Sequence, residues 1–337
     1  MESTEFWSTR ELRRRPGWQW TARIFDAIAL LALLSLLAGL AFAVFQGVDG
    51  SPGWAIFGLL VAALSALGVY ARWIAPFWLR VKRLEIGNPD RDGPGGLPKG
   101  ALSLKIVYFT DLHVGRVKQA AWTRKVVALA NAQHPDAVLL GGDFVGHVDS
   151  RLIPGMLAPL ADLRAPLGVF AVLGNHDYGL PGVNQSELLQ GLFRQTGIRL
   201  LRNENVRVAG RLELVGIDEL WEGCSDVPRA FAGTHPERAS QEPTSHEQPL
   251  RRVVLGHNPD LMAHIDRKAD LFLFGHTHGG QIYIPFITRF IVPVENGRFR
   301  GTYHLPQGLL YISYGCGETT TPTRLGTRPE IVSIIVR

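Results

Sequence analysis

Five short polar motifs contain the residue types that bind divalent metal ions. In chain order they read Asp111-Leu-His113, Gly141-Gly-Asp143, Gly174-Asn-His-Asp177, Gly256-His257-Asn258 and Gly275-His-Thr-His278. Carboxylates, imidazoles and amide oxygens suit Mn, Fe, Co and Zn, and one carboxylate can bridge two ions about 3.5–4 Å apart. The set therefore predicts a site for two divalent metal ions.

Each motif directly follows an apolar run with the character of a β-strand. The runs are Leu104–Thr110, Ala137–Leu140, Val169–Leu173, Arg252–Leu255 and Leu271–Phe274. A helix is predicted around Gln119–Ala132, and further sheet at Gly308–Ser313 and Ile331–Val336. Because ligands in α/β folds collect at the carboxyl ends of strands, we expect the five strand ends to converge on one point. The glycines beside the ligands would let the backbone turn sharply and keep bulk away from the ions.

Two apolar runs precede these motifs. They span Ala27–Phe45 and Trp54–Ala71, and the connection at 46–53 is short and contains no lysine or arginine. Each run approaches the roughly 20 residues that a helix needs to cross a ~30 Å hydrocarbon core. Because one run follows directly after the other, we predict a membrane anchor over residues 1–86 with two transmembrane helices, at about 27–45 and 54–71.

Basic residues flank this pair of runs on both sides, within a chain of net charge +5. They are Arg13, Arg14 and Arg15 before the first run, and Arg80, Lys82 and Arg83 after the second. The positive-inside rule then places both flanks, and the domain that follows, in the cytoplasm. We therefore expect a multi-pass protein of the inner (cytoplasmic) membrane. A nucleic-acid partner is not expected, because the domain that follows has no lysine or arginine cluster interleaved with aromatic residues.

The composition changes to glycine, proline, aspartate and lysine after the second basic group. Residues 87–102 are therefore predicted to form a linker and residues 103–337 a catalytic domain. Within that domain, Gly233–Gln248 is polar and contains proline, so a loop excursion is expected there. The two cysteines, Cys224 and Cys316, lie far apart and do not indicate a disulfide framework.

The order of the five motifs resembles the calcineurin-like metallophosphoesterase superfamily, over about residues 103–337. The segments GHTHGGQI and YISYGCGETTTPTRLGTRPEI resemble the bacterial branch that carries N-terminal membrane segments. Some members of that branch are UDP-2,3-diacylglucosamine pyrophosphatases of lipid A synthesis. The resemblance implies an α/β (α+β) fold, a two-sheet β-sandwich flanked by helices, here preceded by the two transmembrane helices.

The resemblance also implies a role for each motif residue. One metal ion would be held by Asp111, His113 and His278, the other by Asn175, His257 and His276, with Asp143 bridging both. His176 would protonate the leaving oxygen or stabilise its charge, and Asp177 would orient the His176 ring. Manganese is the first expectation for the two divalent ions, and the same ligands accept zinc or iron.

A membrane tether is useful when the substrate itself lies in the bilayer. The sequence therefore favours a lipid-linked phosphodiester or diphosphate, such as a UDP-2,3-diacylglucosamine-type molecule. Two other functions remain open: a phosphodiesterase of soluble substrates such as cyclic nucleotides, and a non-catalytic membrane receptor or scaffold on the same fold. The complete set of metal ligands argues against the receptor. The sequence does not indicate an oligomeric state.

Several residues outside the five motifs are candidates for substrate contacts. Arg324 and Arg328 could neutralise a phosphate, and His147 closely follows Asp143 on the same loop. The apolar segment Ile282–Val294 predicts either core sheet or a hairpin that enters the lipid headgroups. In the second case Phe286 and Phe290 would enter the bilayer and Arg289 would meet a lipid phosphate.

Overall fold

The computed structural model describes residues 18–48, 50–86, 103–180, 182–234, 250–319 and 321–336. The predicted linker at 87–102 lies outside these ranges, and so does most of the predicted loop excursion at 233–248. The described residues contain two long N-terminal helices and two mixed β-sheets that face each other. Shorter helices cover the outer faces of the sheets.

The two N-terminal helices are long and apolar enough to cross a membrane. Helix α1 covers Trp18–Val48 and helix α2 covers Pro52–Val69, with a wide helical turn at Tyr70–Ile74 and a 3-10 turn at Ala75–Phe77 after it. Their apolar stretches, Asp26–Val48 and Pro52–Phe77, contain both predicted spans. The helices pack closely where two glycines meet: a Cβ on Gly39 would lie 3.0 Å from the carbonyl oxygen of Gly58.

The strands of the described chain are numbered in chain order. They are β1 Arg80–Ile86, β2 Leu104–Phe109, β3 Ala137–Leu140, β4 Val169–Ala171, β5 Ile198–Leu200, β6 Glu204–Val208, β7 Leu212–Gly216, β8 Arg251–Leu255, β9 Leu271–Phe274, β10 Gly301–Leu305, β11 Gly308–Ile312 and β12 Glu330–Val336. The remaining α-helices are α3 Ala120–Asn131, α4 Ile153–Leu157, α5 Ser186–Thr196 and α6 Val227–Ala230. Short 3-10 turns occur at Ser150–Leu152, Ala158–Asp162, Pro259–His264, His278–Gly280 and Thr288–Phe290.

Each sheet has a parallel centre. The first sheet has the strand order β1-β12-β2-β3-β4-β5 and the second β10-β11-β9-β8-β7-β6. Strands β2 to β5 are parallel, and so are β7, β8, β9 and β11; the antiparallel pairs are β12 with β2, β6 with β7, and β10 with β11. The predicted fold class, a two-sheet sandwich flanked by helices, is confirmed.

The predicted domain division placed residues 1–86 in the anchor. In the structure, Arg80–Ile86 of that range form strand β1 of the first sheet. It pairs in parallel with β12, from Arg80 opposite Glu330 to Ile86 opposite Val336. The guanidinium of Arg80 also donates 2.7 Å and 3.1 Å hydrogen bonds to the Glu330 carboxylate. The basic residues predicted to flank the membrane helices, Arg80, Lys82 and Arg83, therefore also belong to the edge strand of the first sheet.

Side chains of the sheets fill three layers of core. Because successive strand residues face opposite sides, Ile106 and Tyr108 of β2 pack between the sheets against residues such as Leu214 and Leu273. Val107 and Phe109 face outward and pack under α3 and α5. On the outside of the second sheet, Leu261, Met262 and Ile265 cover Phe272 and Phe274. Burial on both faces explains the continuous apolar runs that predicted these strands.

Candidate metal centre

The polar residues after the parallel strands meet at one end of the two sheets. The Asp143 carboxylate is at their centre, with Oδ2 3.1 Å from Nε2 of His257 and 3.4 Å from Nε2 of His113. Nε2 of His113 is 3.1 Å from Nε2 of His278, which in turn is 3.6 Å from Oδ1 of Asp111. The convergence expected for the five strand ends is thus present in the structure.

Two buried groups of side chains offer metal-ligand atoms within 4.8 Å of one another. They are Asp111, His113 and His278, and Asp143, His257 and His276. Oδ1 of Asn175 extends the second group, since it lies 2.9 Å from Nδ1 of His276. Because Asp143 also contacts His113, it joins the two groups as a shared ligand would.

The backbone at this site is held in an uncommon conformation. Five of the seven predicted ligands have positive φ: Asp111 (56°), His113 (44°), Asp143 (53°), His276 (70°) and His278 (52°). Each such non-glycine residue costs on the order of 1–3 kcal/mol, so the surrounding fold must supply that energy. Strain of this kind concentrates at functional sites and here aims ligands from different strands at one point.

Glycines beside the ligands allow the loops to approach closely. A Cβ on Gly174 would lie 2.2 Å from Oδ1 of Asp143, and one on Gly275 would lie 2.4 Å from Oδ2 of Asp111. Neither position has space for a side chain. The reason for glycine at these positions is thus the space that the ligand carboxylates occupy.

Backbone carbonyls fix the tautomers of two histidines. Nδ1 of His257 lies 2.8 Å from the carbonyl oxygen of Gly141, and Nδ1 of His278 lies 3.1 Å from that of Gly317. A carbonyl only accepts, so each Nδ1 carries the proton and each neutral ring presents a lone pair at Nε2. For His257 that lone pair faces the Asp143 carboxylate, an arrangement that requires a cation or a proton between them. The donor set therefore fits divalent metal ions.

The pKa values of these groups support the same interpretation. Burial acts to lower the pKa of His257, but the Asp143 charge and hydrogen bond outweigh it and raise that pKa to about 10. Burial also lowers the pKa of His278 and His113 well below the usual range, and that of His276 to about 3. Nε2 of His276 and Nδ1 of His113 are buried without a hydrogen-bond partner among the described residues. The site thus presents neutral imidazoles, the form that binds metals, at His113, His276 and His278, while His257 holds a proton that a metal ion would replace.

The two residues predicted to be catalytic occupy different environments. The His176 ring is perpendicular to the His113 ring, with centroids 4.7 Å apart, and its Nε2 is 3.5 Å from Oγ1 of Thr319. The Asp177 carboxylate instead accepts hydrogen bonds from the backbone amides of Phe144 (2.8 Å), Val145 (3.2 Å) and Gly174 (2.9 Å). Its oxygens bind backbone amides rather than the His176 ring, contrary to the predicted orienting role. Through these hydrogen bonds, Asp177 holds the loop that contains Asp143 against the loop that contains Asn175.

The predicted phosphate contacts at Arg324 and Arg328 do not agree with their positions. Arg324 is fully buried and donates to the Tyr314 carbonyl at 2.8 Å and to Oε1 of Glu318 at 2.9 Å. Its guanidinium is therefore committed to the fold and cannot meet a substrate from solvent. Arg328 stacks on the Trp78 ring, 3.9 Å from its centroid, and donates to the Trp78 carbonyl at 3.2 Å. It faces the end of the apolar helices instead of the metal centre.

His147 and the apolar segment lie at the surface. The His147 ring is exposed, and its centroid is 5.9 Å from that of His176, at the rim of the site. The segment Ile282–Val294 forms a loop with a 3-10 turn at Thr288–Phe290, not a core strand. We call residues 282–291 the apolar loop: Phe286 is 82% and Phe290 76% exposed, and Ile287 and Ile291 are exposed as well. Thr288 is buried beneath it and donates to the carbonyl of Ile284 at 3.1 Å.

Two residues of the site were not recognised from sequence. The Trp221 ring stands perpendicular to the His276 ring with centroids 4.4 Å apart, and the Glu219 carboxyl is buried beside the centre. Burial raises the pKa of Glu219 to about 7. Both follow β7, in the position where the other motifs follow their strands. The sequence therefore contained the same signal as at the other motifs, an apolar run followed by polar residues. Leu212–Gly216 was not predicted as a strand, so this signal was missed.

Comparison with known protein families decides the relationship. The sequence model of the calcineurin-like phosphoesterase family matches residues 104–280, and this range contains all seven predicted ligands. The chain belongs to the calcineurin-like phosphoesterase family. Members of this family depend on divalent metals, so the hydrolase class predicted from the motifs is confirmed.

Curated relatives of this phosphoesterase have several names. The phosphodiesterase YaeI of Escherichia coli (strain K12) is 31% identical over 81% of this chain and 94% of its own length. The UDP-2,3-diacylglucosamine pyrophosphatase LpxG of Chlamydia trachomatis is 26% identical over 77% of this chain and 89% of its own. A Bos taurus protein named transmembrane protein with metallophosphoesterase domain is 29% identical over 72% of this chain and 54% of its own.

Proposed function

We propose that this phosphoesterase hydrolyses a phosphodiester or diphosphate bond with the help of two divalent metal ions. One ion would be held by Asp111, His113 and His278, and the other by Asn175, His257 and His276, with Asp143 shared. The observation that carries the proposal is the position of Asp143, whose Oδ2 lies 3.1 Å from Nε2 of His257 and 3.4 Å from Nε2 of His113. Manganese is the first candidate, and zinc or iron would suit the same ligands.

The remaining chemistry comes from residues around the ions. When bound, the two ions would supply positive charge to the phosphoryl oxygens and lower the pKa of the attacking water. His176 is the candidate partner of the leaving oxygen. Burial lowers the pKa of His176, an effect that Asp143 partly offsets, so the ring would be neutral near pH 7. A neutral ring stabilises the leaving oxygen by donating a hydrogen bond from its N–H group. Comparing the turnover of esters with good and poor leaving groups distinguishes this hydrogen bond from full proton transfer.

The proposed substrate is lipid-linked, with a UDP-2,3-diacylglucosamine-type diphosphate as the leading specific candidate. The apolar loop supports this: it begins four residues after His278, and its phenylalanines are exposed. Its first residues contact a segment that meets the wide helical turn after α2. The Tyr283 amide donates to the Leu325 carbonyl at 2.8 Å, and the Arg324 amide donates to the Ala71 carbonyl at 2.9 Å. Acyl chains could therefore lie along the apolar loop while the diphosphate reaches the metals.

The bilayer is the proposed partner of both the helices and the apolar loop. Trp73 and Trp78 are partly exposed near the end of the second apolar stretch, where aromatic residues suit the membrane interface. Arg289 is exposed within the loop, its guanidinium 4.6 Å from the centroid of the Phe290 ring, and would meet a lipid phosphate. By the positive-inside rule we place the metal centre on the cytoplasmic side of a multi-pass inner-membrane protein.

A soluble phosphodiester, such as a cyclic nucleotide, is the second candidate substrate. The name of the E. coli relative and the partly buried Trp221 beside His276 favour it, because an indole ring offers a surface on which a base can stack. An activity screen over lipid diphosphates and cyclic nucleotides with added Mn²⁺ separates the two. Turnover of the cyclic nucleotides alone would reject the lipid substrate.

The two-metal function is tested by Asp143→Ala. Loss of the shared ligand should remove both ions and abolish hydrolysis of bis-p-nitrophenyl phosphate, while the far-ultraviolet circular dichroism stays that of a folded protein. Metal content per chain is the decisive measurement, and two retained ions would refute the assignment. Asp149→Ala is the matched control, since Asp149 lies on the same loop but pairs with Arg151 at 2.6 Å on the surface.

A further inference from the structure

A buried arginine organises the loop behind the metal centre. We call residues 314–318 the backing loop. Arg324 donates to the carbonyls of Tyr314 (2.8 Å), Gly315 (3.4 Å) and Gly317, and its Nε donates to Oε1 of Glu318 at 2.9 Å. Arg324 is the largest of the fully buried side chains in the described chain. A buried guanidinium that donates to this many groups of one loop holds that loop in a single conformation.

The backing loop touches two metal-ligand candidates directly. The Gly317 carbonyl faces Nδ1 of His278 at 3.1 Å and so fixes its tautomer. The Gly317 amide donates to the Asp111 carbonyl, and a Cβ on Gly315 would lie 2.7 Å from the Cβ of Asp111. Any shift of this loop therefore moves or releases Asp111 and His278, since outer partners of this kind set ligand orientation.

The same loop contacts the end of the second apolar helix, by which we mean the 3-10 turn Ala75–Phe77 that closes the apolar stretch Pro52–Phe77. Oε2 of Glu318 lies 3.7 Å from Nζ of Lys118, and both side chains are 2% exposed. The Lys118 ammonium donates to the Pro76 carbonyl and lies over two rings, 4.0 Å from the centroid of Phe77 and 3.4 Å from that of Trp122. A cation at the carbonyl end of a helix is a favourable arrangement.

We propose that Lys118, Glu318 and Arg324 are positioning residues that couple the end of the second apolar helix to the metal ligands Asp111 and His278. Three charged groups in a dry environment are stable only while each keeps its partner, so they cannot shift independently. The affinity for the ion on the Asp111 side then depends on where the helix end lies. This coupling rests on the proposed two-metal function and adds to it a link between the anchor and one of the two ions.

The test uses the full chain in detergent and the variant Lys118→Met, which keeps a long apolar side chain between the two rings. Chelator titration should release one of the two ions at a 10–100-fold lower chelator concentration than in the wild type, the usual effect of losing an outer partner of a metal ligand. Added Mn²⁺ should restore kcat with KM unchanged. Lys118→Arg should restore retention, because its guanidinium can still donate to the Pro76 carbonyl and keeps a positive charge beside Glu318. If Lys118→Met does not fold, Glu318→Gln removes the central charge with little change of shape and should give the same loss.

Arg252→Met is the matched control. Arg252 is also buried and pairs with Glu213 at 2.7 Å, but it lies at the start of β8, at the opposite end of that strand from His257. This control should lower the unfolding temperature without changing chelator resistance. If Lys118→Met behaves like Arg252→Met, the three residues stabilise only the fold and the coupling is refuted. A wild-type chain that binds fewer than two ions would instead refute the proposed function.

Discussion

The protonation of the metal ligands depends on backbone contacts. Because Gly141 fixes the Nδ1 proton of His257, any second proton on that ring lies at Nε2, directly against Asp143. Without metal, this proton occupies the position that an ion would take. His257 has a folded-state pKa of about 10, above its ordinary value, so it stabilises the metal-free fold below pH ~6.5 and loses that contribution as pH rises through 10.

This arrangement predicts that metal binding releases a proton. Between pH 7 and 9 the ring of His257 in the metal-free protein is protonated, and an ion must displace that proton. The apparent affinity should therefore rise about tenfold per pH unit for each proton released. Isothermal titration of Mn²⁺ in buffers with different ionisation enthalpies measures the number of protons. An affinity independent of pH, together with a binding enthalpy independent of the buffer, would show that His257 is already neutral.

A second residue-scale prediction concerns His176→Ala. The ring contacts His113 but is not among the proposed ligands, so both ions should remain in the variant. Turnover should fall by about 10²–10⁴-fold, the range for a lost group that assists the leaving oxygen. The loss should be smaller for p-nitrophenyl esters than for alkyl esters, because a good leaving group needs less assistance. An equal loss for both esters would assign His176 to phosphate binding alone.

Residue identity in the motifs was enough to select the ligand candidates, but not to judge side chains whose role depends on tertiary packing. Arg324 lies in a segment rich in threonine, proline and glycine, TPTRLGTRP, that looks exposed in sequence, yet it is fully buried. Asp177 follows His176 directly, yet its carboxylate turns to the amides of Phe144 and Val145. Such choices depend on which loops meet in the fold, and local sequence does not contain that information.

Among the elements, strands buried on both faces were predicted most accurately. The apolar runs Ala137–Leu140 and Leu271–Phe274 match β3 and β9 residue for residue. Strands such as β6 and β10 were missed because their sequences, ENVRV and GTYHL, mix polar and apolar residues and are only partly buried. Strand β1 was missed because its basic residues had a sufficient explanation in the membrane flank. Strand β1 also depends on β12, a pairing partner that is distant in sequence, whereas β6 and β10 pair with the strands that directly follow them, β7 and β11.

The apolar loop allows a prediction about a single element. Phe286→Ser combined with Phe290→Ser should raise KM for a lipid diphosphate in vesicles by about tenfold or more, because two phenyl groups would no longer be buried in lipid. Hydrolysis of bis-p-nitrophenyl phosphate and the unfolding temperature should stay unchanged, since both side chains are exposed in the structure.

Leu152→Ser provides the control for the apolar loop, because Leu152 is an exposed leucine on a different surface turn. It should leave KM for the lipid unchanged. If the double variant lowers both activities together with the unfolding temperature, the phenylalanines support the fold rather than the bilayer contact.

At the scale of the whole molecule, the orientation in the membrane decides which substrates are accessible. The anchor is proposed to cross twice, so both of its ends should lie on one side. A reporter fused after Arg83 should therefore score as cytoplasmic, and one inserted within residues 46–53 as external. The opposite result would place the metal centre outside the cytoplasm and exclude a cytosolic UDP-linked substrate.

The pairing of β1 with β12 has a consequence for biosynthesis. Arg80 and Glu330 are 250 residues apart, and β12 lies between β1 and β2 in its sheet. During synthesis on the ribosome, β1 emerges first and has no pairing partner until β12 is translated much later. Closing the long segment between the two strands then carries an entropic cost. Strand β2, which leads into Asp111, also lacks its neighbour on that side until then. We expect a nascent chain that stops short of Glu330 to remain unable to complete this sheet, so that only chains translated through β12 acquire their metals.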